Sequence, residues 1–249
     1  SSWLIAVFGT YVLSSLPLML THSMVAYADI FMALHLFIPS ILLFHALHQE
    51  ERGTALSFLK LSVFAIGLVP FTKNEGLLLY FPLLVLFSAV THGLLLKRAV
   101  LSTRDMRRSL LWTASFVLLI LIPWLVFKWT HGLDFGNAKP LGGFSVSWQS
   151  GVLQSVAVSL FFHGSWLLLF PLLLFLLVTQ WRVAFLSRTA FNTILLLVLF
   201  FGQLSLYLFT GLSVEAMKQT GYGRGLIHLV PIAVVLISLL LDKAESPTP

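Results

Sequence analysis

The sequence contains no cysteine. That absence excludes disulfides, thiolate nucleophiles and cysteine-ligated metal sites together. Charge is scarce as well: only 10% of the 249 residues are Asp, Glu, Lys or Arg, where a soluble domain carries about 25%. Acids are the rarer sign, 9 against 15 basic residues. Also missing are the strict apolar–polar alternation of a membrane barrel and any 20–50-residue repeat of a solenoid. What fills the chain instead is apolar: 58% of residues are hydrophobic and the mean hydropathy is +0.97. A soluble globule of this size has too much surface to hide that content. A soluble enzyme, a nucleic-acid module and a disordered chain are thereby excluded.

The apolar residues fall into blocks of about 20, the length that crosses a hydrocarbon core of roughly 30 Å. The blocks are continuous and Leu-rich, which favours helices. The expected fold class is all-α: a polytopic transmembrane helical bundle of about eight spans. They fall near residues 3–20, 27–47, 54–71, 77–96, 110–127, 158–178, 191–210 and 225–241. One transmembrane domain, 1–241, is expected to be followed by a short disordered cytoplasmic tail, 242–249, that ends in Pro247-Thr248-Pro249.

Orientation follows from the basic residues, which collect on the cytoplasmic side. Lys97, Arg98, Arg104, Arg107 and Arg108 follow the fourth span against the single acid Asp105. Arg182 and Arg188 follow the sixth, and Arg52 and Lys60 flank the link after the second. The opposite ends hold Lys73, Lys128, Lys139, Lys218 and Arg224 thinly. Even-numbered ends are therefore cytoplasmic, and the +6 net charge is a topology signal rather than a nucleic-acid one. The outer side carries the longer loops, 128–157 and 211–224; the first is long enough to cover a site. Asp134 and Glu215 read there as solvated loop charges.

Ionisable groups near a bilayer are costly and are functional candidates by default. Asp29 is the sharpest, at the outer end of the second span with no Lys or Arg within ten residues. A helix N-terminus favours an acid, but capping alone explains such an apolar setting poorly. The second cluster is Thr72-Lys73-Asn74-Glu75-Gly76, whose simpler reading is a turn with Asn74 as helix cap. The third is Tyr222-Gly223-Arg224, followed one turn on by His228 on the same face. Asp29, Lys73, Glu75, Arg224 and His228 come from separate stretches, yet all fall on the outer side. An acid with Lys and Arg at one face suits phosphate recognition and proton transfer from a hydroxyl. His45 and His48 near Glu50 and Glu51 lack a clear third metal ligand, and His35 reads as an interhelical hydrogen-bonding residue.

The stretch from Pro17 to Asp29, then Thr72 to Gly76 opening a later span, then Arg224 to Pro231 entering the last, resembles bacterial GT-C membrane glycosyltransferases. The similarity is to the protein-mannosyltransferase-like (family 39-like) group and extends over most of the chain. It implies sugar transfer from a polyprenyl-phosphate-linked donor to a hydroxyl acceptor (lipid, glycan or protein) on the outer face of a bacterial inner membrane. Asp29 matches the second of the family's outer-loop acids; the first would lie upstream of Ser1, so the expectation is an N-terminally truncated chain. On this reading Asp29 and Glu75 serve catalysis, and Lys73 and Arg224 hold the donor phosphate. His22, Tyr27, Asn74 and His228 contact substrate. A divalent metal ion is compatible with these residues but not required by them. Membrane lipids are the other partners, and nucleic acid is not one. Two other classes fit the composition: a transporter or lipid flippase, and a non-catalytic relative of the glycosyltransferases.

Overall fold

The computed structural model describes residues 3–25, 27–133 and 147–245, with side chains placed through Asp242. Every regular element among them is helical. Five helices are long and apolar enough to cross a membrane, and two bent helix pairs raise the number to seven. The expected covering loop loses Asp134, Gly136, Lys139, Pro140, Gly142 and Gly143 from view, because they lie outside the described residues, as do 246–249 of the expected tail. The last helix continues through Glu245, so the first residues of that tail extend a helix.

The chain divides into two compact units, one of residues 1–33 and 144–249, the other of 34–143. In the first, α1 (Trp3–Ser15) and α2 (Pro17–Met24) form a pair bent by 64°. Pro17 supplies the bend: it fits the first position of α2 but has no N–H to continue the α1 ladder. Then α3 (Asp29–Leu47) begins, its first turn in this unit and its remainder in the other. The order of the second unit is α4 (Arg52–Thr72), a π-helical turn at Gly76–Tyr80, α5 (Phe81–Lys97) and α6 (Thr103–Thr130). The π turn ends at Tyr80, just before Phe81-Pro82, and the wider turn accommodates a ring that would strike the carbonyl four residues back. Gly67 of α4 faces Phe116 and Ile120 of α6, and Phe64 and Phe71 meet Phe116 and Trp124 across the same seam. His35 reaches Thr72 at 2.5 Å, the interhelical hydrogen bond expected of it.

The first unit resumes with α7 (Val152–Phe161), α8 (Leu169–Thr179), α9 (Trp181–Leu186), α10 (Ala190–Phe209), α11 (Ser213–Met217), α12 (Gly221–Ile227) and α13 (Val230–Glu245). The expected span at 158–178 is therefore two helices of 10 and 11 residues. The break is His163-Gly164-Ser165, with Gly164 at φ 72° and Leu167 at φ 50°, a backbone no helix continues through. The final expected span, 225–241, is likewise a pair, α12 and α13, bent by 51° before Pro231. Helix α1 packs on α13 through Gly9, where a Cβ would stand 2.8 Å from Ser238 Oγ. Such small-residue seams let apolar helices approach where water provides no driving force.

Candidate functional site

Asp29 is wholly enclosed, with 0% of its surface exposed. Its Oδ2 accepts a hydrogen bond from Arg224 Nε at 3.0 Å, and its Oδ1 stands 3.2 Å from His228 Nε2. His22 Nδ1 stands 3.0 Å from Oδ2, close enough for an ion pair though not aligned as a hydrogen bond. Three basic side chains from 7 residues before and 195 and 199 residues after it thus converge on one carboxylate. The local helices favour this. Asp29 opens α3, while His22 and Arg224 sit in the last turns of α2 and α12. The Asp29 carboxylate and the Arg224 guanidinium therefore each lie at the helix pole that suits their sign.

The cluster is buried on one side and open on the other. His22 and His228 are 6% and 1% exposed, whereas the Arg224 side chain is 40% exposed. Its guanidinium lies 4.7 Å from the centre of the Tyr27 ring, which also packs on His22 with ring centres 5.1 Å apart. Arg224 uses Nε on Asp29, which leaves the two Nη groups of its fork for another partner. That fork suits bidentate binding of a phosphate or carboxylate, and the enclosed carboxylate fixes its position.

The Lys73–Glu75 cluster belongs to the other unit. Lys73 pairs with Glu75 at 3.2 Å. Asn74 does not cap a helix; its Oδ1 accepts from Lys128 Nζ at 2.7 Å. Lys128 is 5% exposed and lies 5.4 Å from the Trp124 ring centre. By charge count alone, Lys128 is one of the thinly spread basic residues of the odd-numbered span ends. Its signal was its place inside the aromatic stretch Trp124 to Trp129, where a lysine has little water to reach.

Two further polar residues of the first unit are buried. Gln203 of α10 is 4% exposed, and its carboxamide fills the space where Gly225 would carry a side chain. Tyr222, one turn before Gly225, is 1% exposed and meets Tyr207 edge to face at 5.2 Å. A glutamine inside the run Phe200-Phe201-Gly202-Gln203 was the signal for the first.

Among the described residues no three His, Asp or Glu side chains are arranged to hold a metal ion. His45 stacks on Phe58, His48 contacts the Phe44 carbonyl, and Glu51 accepts from Thr54. His92 bridges the Ser88 carbonyl and Ser109, tying α5 to α6. No protein-family model, curated protein or solved structure matches this chain.

Proposed function

We propose that this protein is a GT-C-like membrane glycosyltransferase that moves a sugar from a polyprenyl-phosphate donor to a hydroxyl acceptor at the outer face of a bacterial inner membrane. The observation that carries the reading is Arg224: half-exposed, backed by a wholly buried Asp29, and laid over Tyr27. In the reaction the acceptor oxygen bonds to the anomeric carbon as the bond from that carbon to the phosphate oxygen breaks. The hydroxyl proton passes to a carboxylate, and the polyprenyl phosphate leaves with its charge held by Arg224. Asp29, with both oxygens engaged by Arg224, His22 and His228, fits the positioning of Arg224 better than proton removal. The base is then a carboxylate outside this cluster.

A count of eight crossings is supported by parity. Asp29 and Arg224 meet at 3.0 Å and so lie at one membrane face. Five long spans separate them along the chain, an odd number. On this reading the pair α7 and α8, of 10 and 11 residues, supplies the one further crossing that eight requires.

The test is transfer of labelled sugar from a polyprenyl-phosphate donor by membranes carrying the full-length protein. Loss of transfer in Arg224→Ala at normal protein abundance is expected; undiminished turnover in both Arg224→Ala and Asp29→Asn refutes the assignment. One observation favours a transporter of an anionic substrate instead: the site is built on both bent helix pairs, and broken helices are common at transporter binding sites. Substrate movement into proteoliposomes without any sugar transfer would select that reading.

A further inference from the structure

A groove in the second unit is far in sequence from the Asp29 cluster. It measures about 1100 Å³ and runs down one face of α6, lined by Arg104, Arg107, Arg108, Trp112, Phe116 and Leu119 among others. These positions recur every three or four residues and form a single stripe. The stripe is divided by chemistry: three arginines at the helix N-terminal end, then apolar and aromatic side chains below.

The arginines are poorly served by their own chain. They occupy the first two turns of a 28-residue helix, the pole that disfavours cations. The one acid among them, Asp105, is already taken by Arg52 at 2.5 Å and by the Ser102 capping box. Among the described residues none of the three arginines has a carboxylate partner. All three are exposed, as are Leu111, Trp112 and Leu119 at 68%, 50% and 70%. The site therefore lacks negative charge at one end and apolar cover along the rest.

We propose that this face of α6 is a binding site for an anionic phospholipid of the surrounding bilayer. Its phosphodiester sits among Arg104, Arg107 and Arg108, and one acyl chain lies along the groove past Trp112 and Phe116 to Leu119. The dimensions agree. Arg108 to Leu119 covers about 16 Å of helix at 1.5 Å per residue, and one leaflet is about half of a 30 Å core. A basic peptide-binding surface would not continue one leaflet deep into hydrocarbon. A soluble anion would leave the apolar part of the groove without an occupant.

The test uses the full chain in phosphatidylcholine vesicles doped with acyl-brominated phosphatidylglycerol or acyl-brominated phosphatidylcholine. Tryptophan quenching is read as the difference between wild type and Trp112→Phe, which isolates Trp112. The brominated anionic lipid is expected to quench Trp112 at far lower mole fraction than the zwitterionic one. Each arginine contributes about 5-fold, so R104Q/R107Q/R108Q loses on the order of 100-fold of that preference at low salt. The triple lysine variant keeps most of it, and raising the salt on wild type erodes it, a readout independent of whether the glutamine variant folds. Equal quenching by the two lipids overturns the proposal, as does a preference that survives in the triple glutamine variant at low salt. Protection of Trp112 from both lipids also overturns it, and crosslinking between copies through α6 would then assign the face to a second copy.

Discussion

Removing Arg224 should damage the protein far more than removing the charge of Asp29, although the two touch. In Arg224→Ala the carboxylate stays where it is, 0% exposed, without its permanent cation. At 3.0 Å and an effective dielectric constant near 20, the direct attraction is about 5 kcal/mol. Breaking a buried pair from one side typically costs about 3–5 kcal/mol. His22 and His228 stay within 3.2 Å and offset part of this, which places the expected loss near the lower end, about 3 kcal/mol. Asp29→Asn acts on the other partner. The amide keeps the shape and one acceptor, and Arg224, 40% exposed, turns its charge to water, so the loss is about 1–2 kcal/mol. The double variant should resemble Asp29→Asn alone, giving a coupling of about 2–4 kcal/mol. The measurement is equilibrium unfolding in mixed micelles of the two single variants and the double. Equal damage from both single substitutions, or a coupling below about 0.5 kcal/mol, would refute the idea of a buried carboxylate held by a half-exposed arginine.

Three further outcomes test the rest of the structure. Gly9→Leu should destabilise by about 1–3 kcal/mol through overpacking against Ser238 and Val234, read by thermal unfolding, with Ser238→Ala relieving part of it. Asn74→Ala should cost about 1.5–3 kcal/mol by depriving the buried Lys128 ammonium of an acceptor. In the same assay Lys128→Met, which removes the charge and keeps the stem, should be milder. Ser109→Ala leaves His92 Nε2 without its partner at 2.8 Å and should lower stability by about 1–2 kcal/mol. Hydrogen exchange should then rise first at the α5–α6 seam.

The spans near 27–47, 54–71, 77–96, 110–127 and 191–210 were legible because each is an unbroken apolar run, and α3, α4, the Gly76–Lys97 stretch, α6 and α10 occupy them. The run at 158–178 misled because hydropathy averages over the His163-Gly164-Ser165 break, which is a matter of backbone dihedrals. Pro17 and Pro231 announce the bends in the first and last runs, but the apolar character of a run continues straight through them. At the site, Asp29, Arg224 and His228 were picked out because charge is rare in this chain. That they meet was not legible, since a contact across 195 residues depends on how α2, α3 and α12 end. The pairing of Asn74 with Lys128 across 54 residues was hidden for the same reason.

The convergence on Asp29 also bears on why the first and last helices are bent. A straight helix of either run would carry its polar residue along one axis with no reason to stop beside the other. The bends of 64° and 51° place the end of α2 and the end of α12 against the start of α3. Each helix end brings unsatisfied backbone groups and a pole of its dipole. An acid at the start of α3, with an arginine at the end of α12 and a histidine at the end of α2, answers those poles with polar side chains. Asp29 is therefore the point where three chain ends are tied together in an apolar surrounding, and Arg224 is the one member of the tie that still faces outward. A charge that is needed for folding and half-exposed for binding couples the two properties. A ligand carrying phosphate should raise the unfolding midpoint of wild type and leave that of Arg224→Ala unchanged, because binding to the native state alone shifts stability by mass action. Equal shifts in both proteins would place the anion elsewhere.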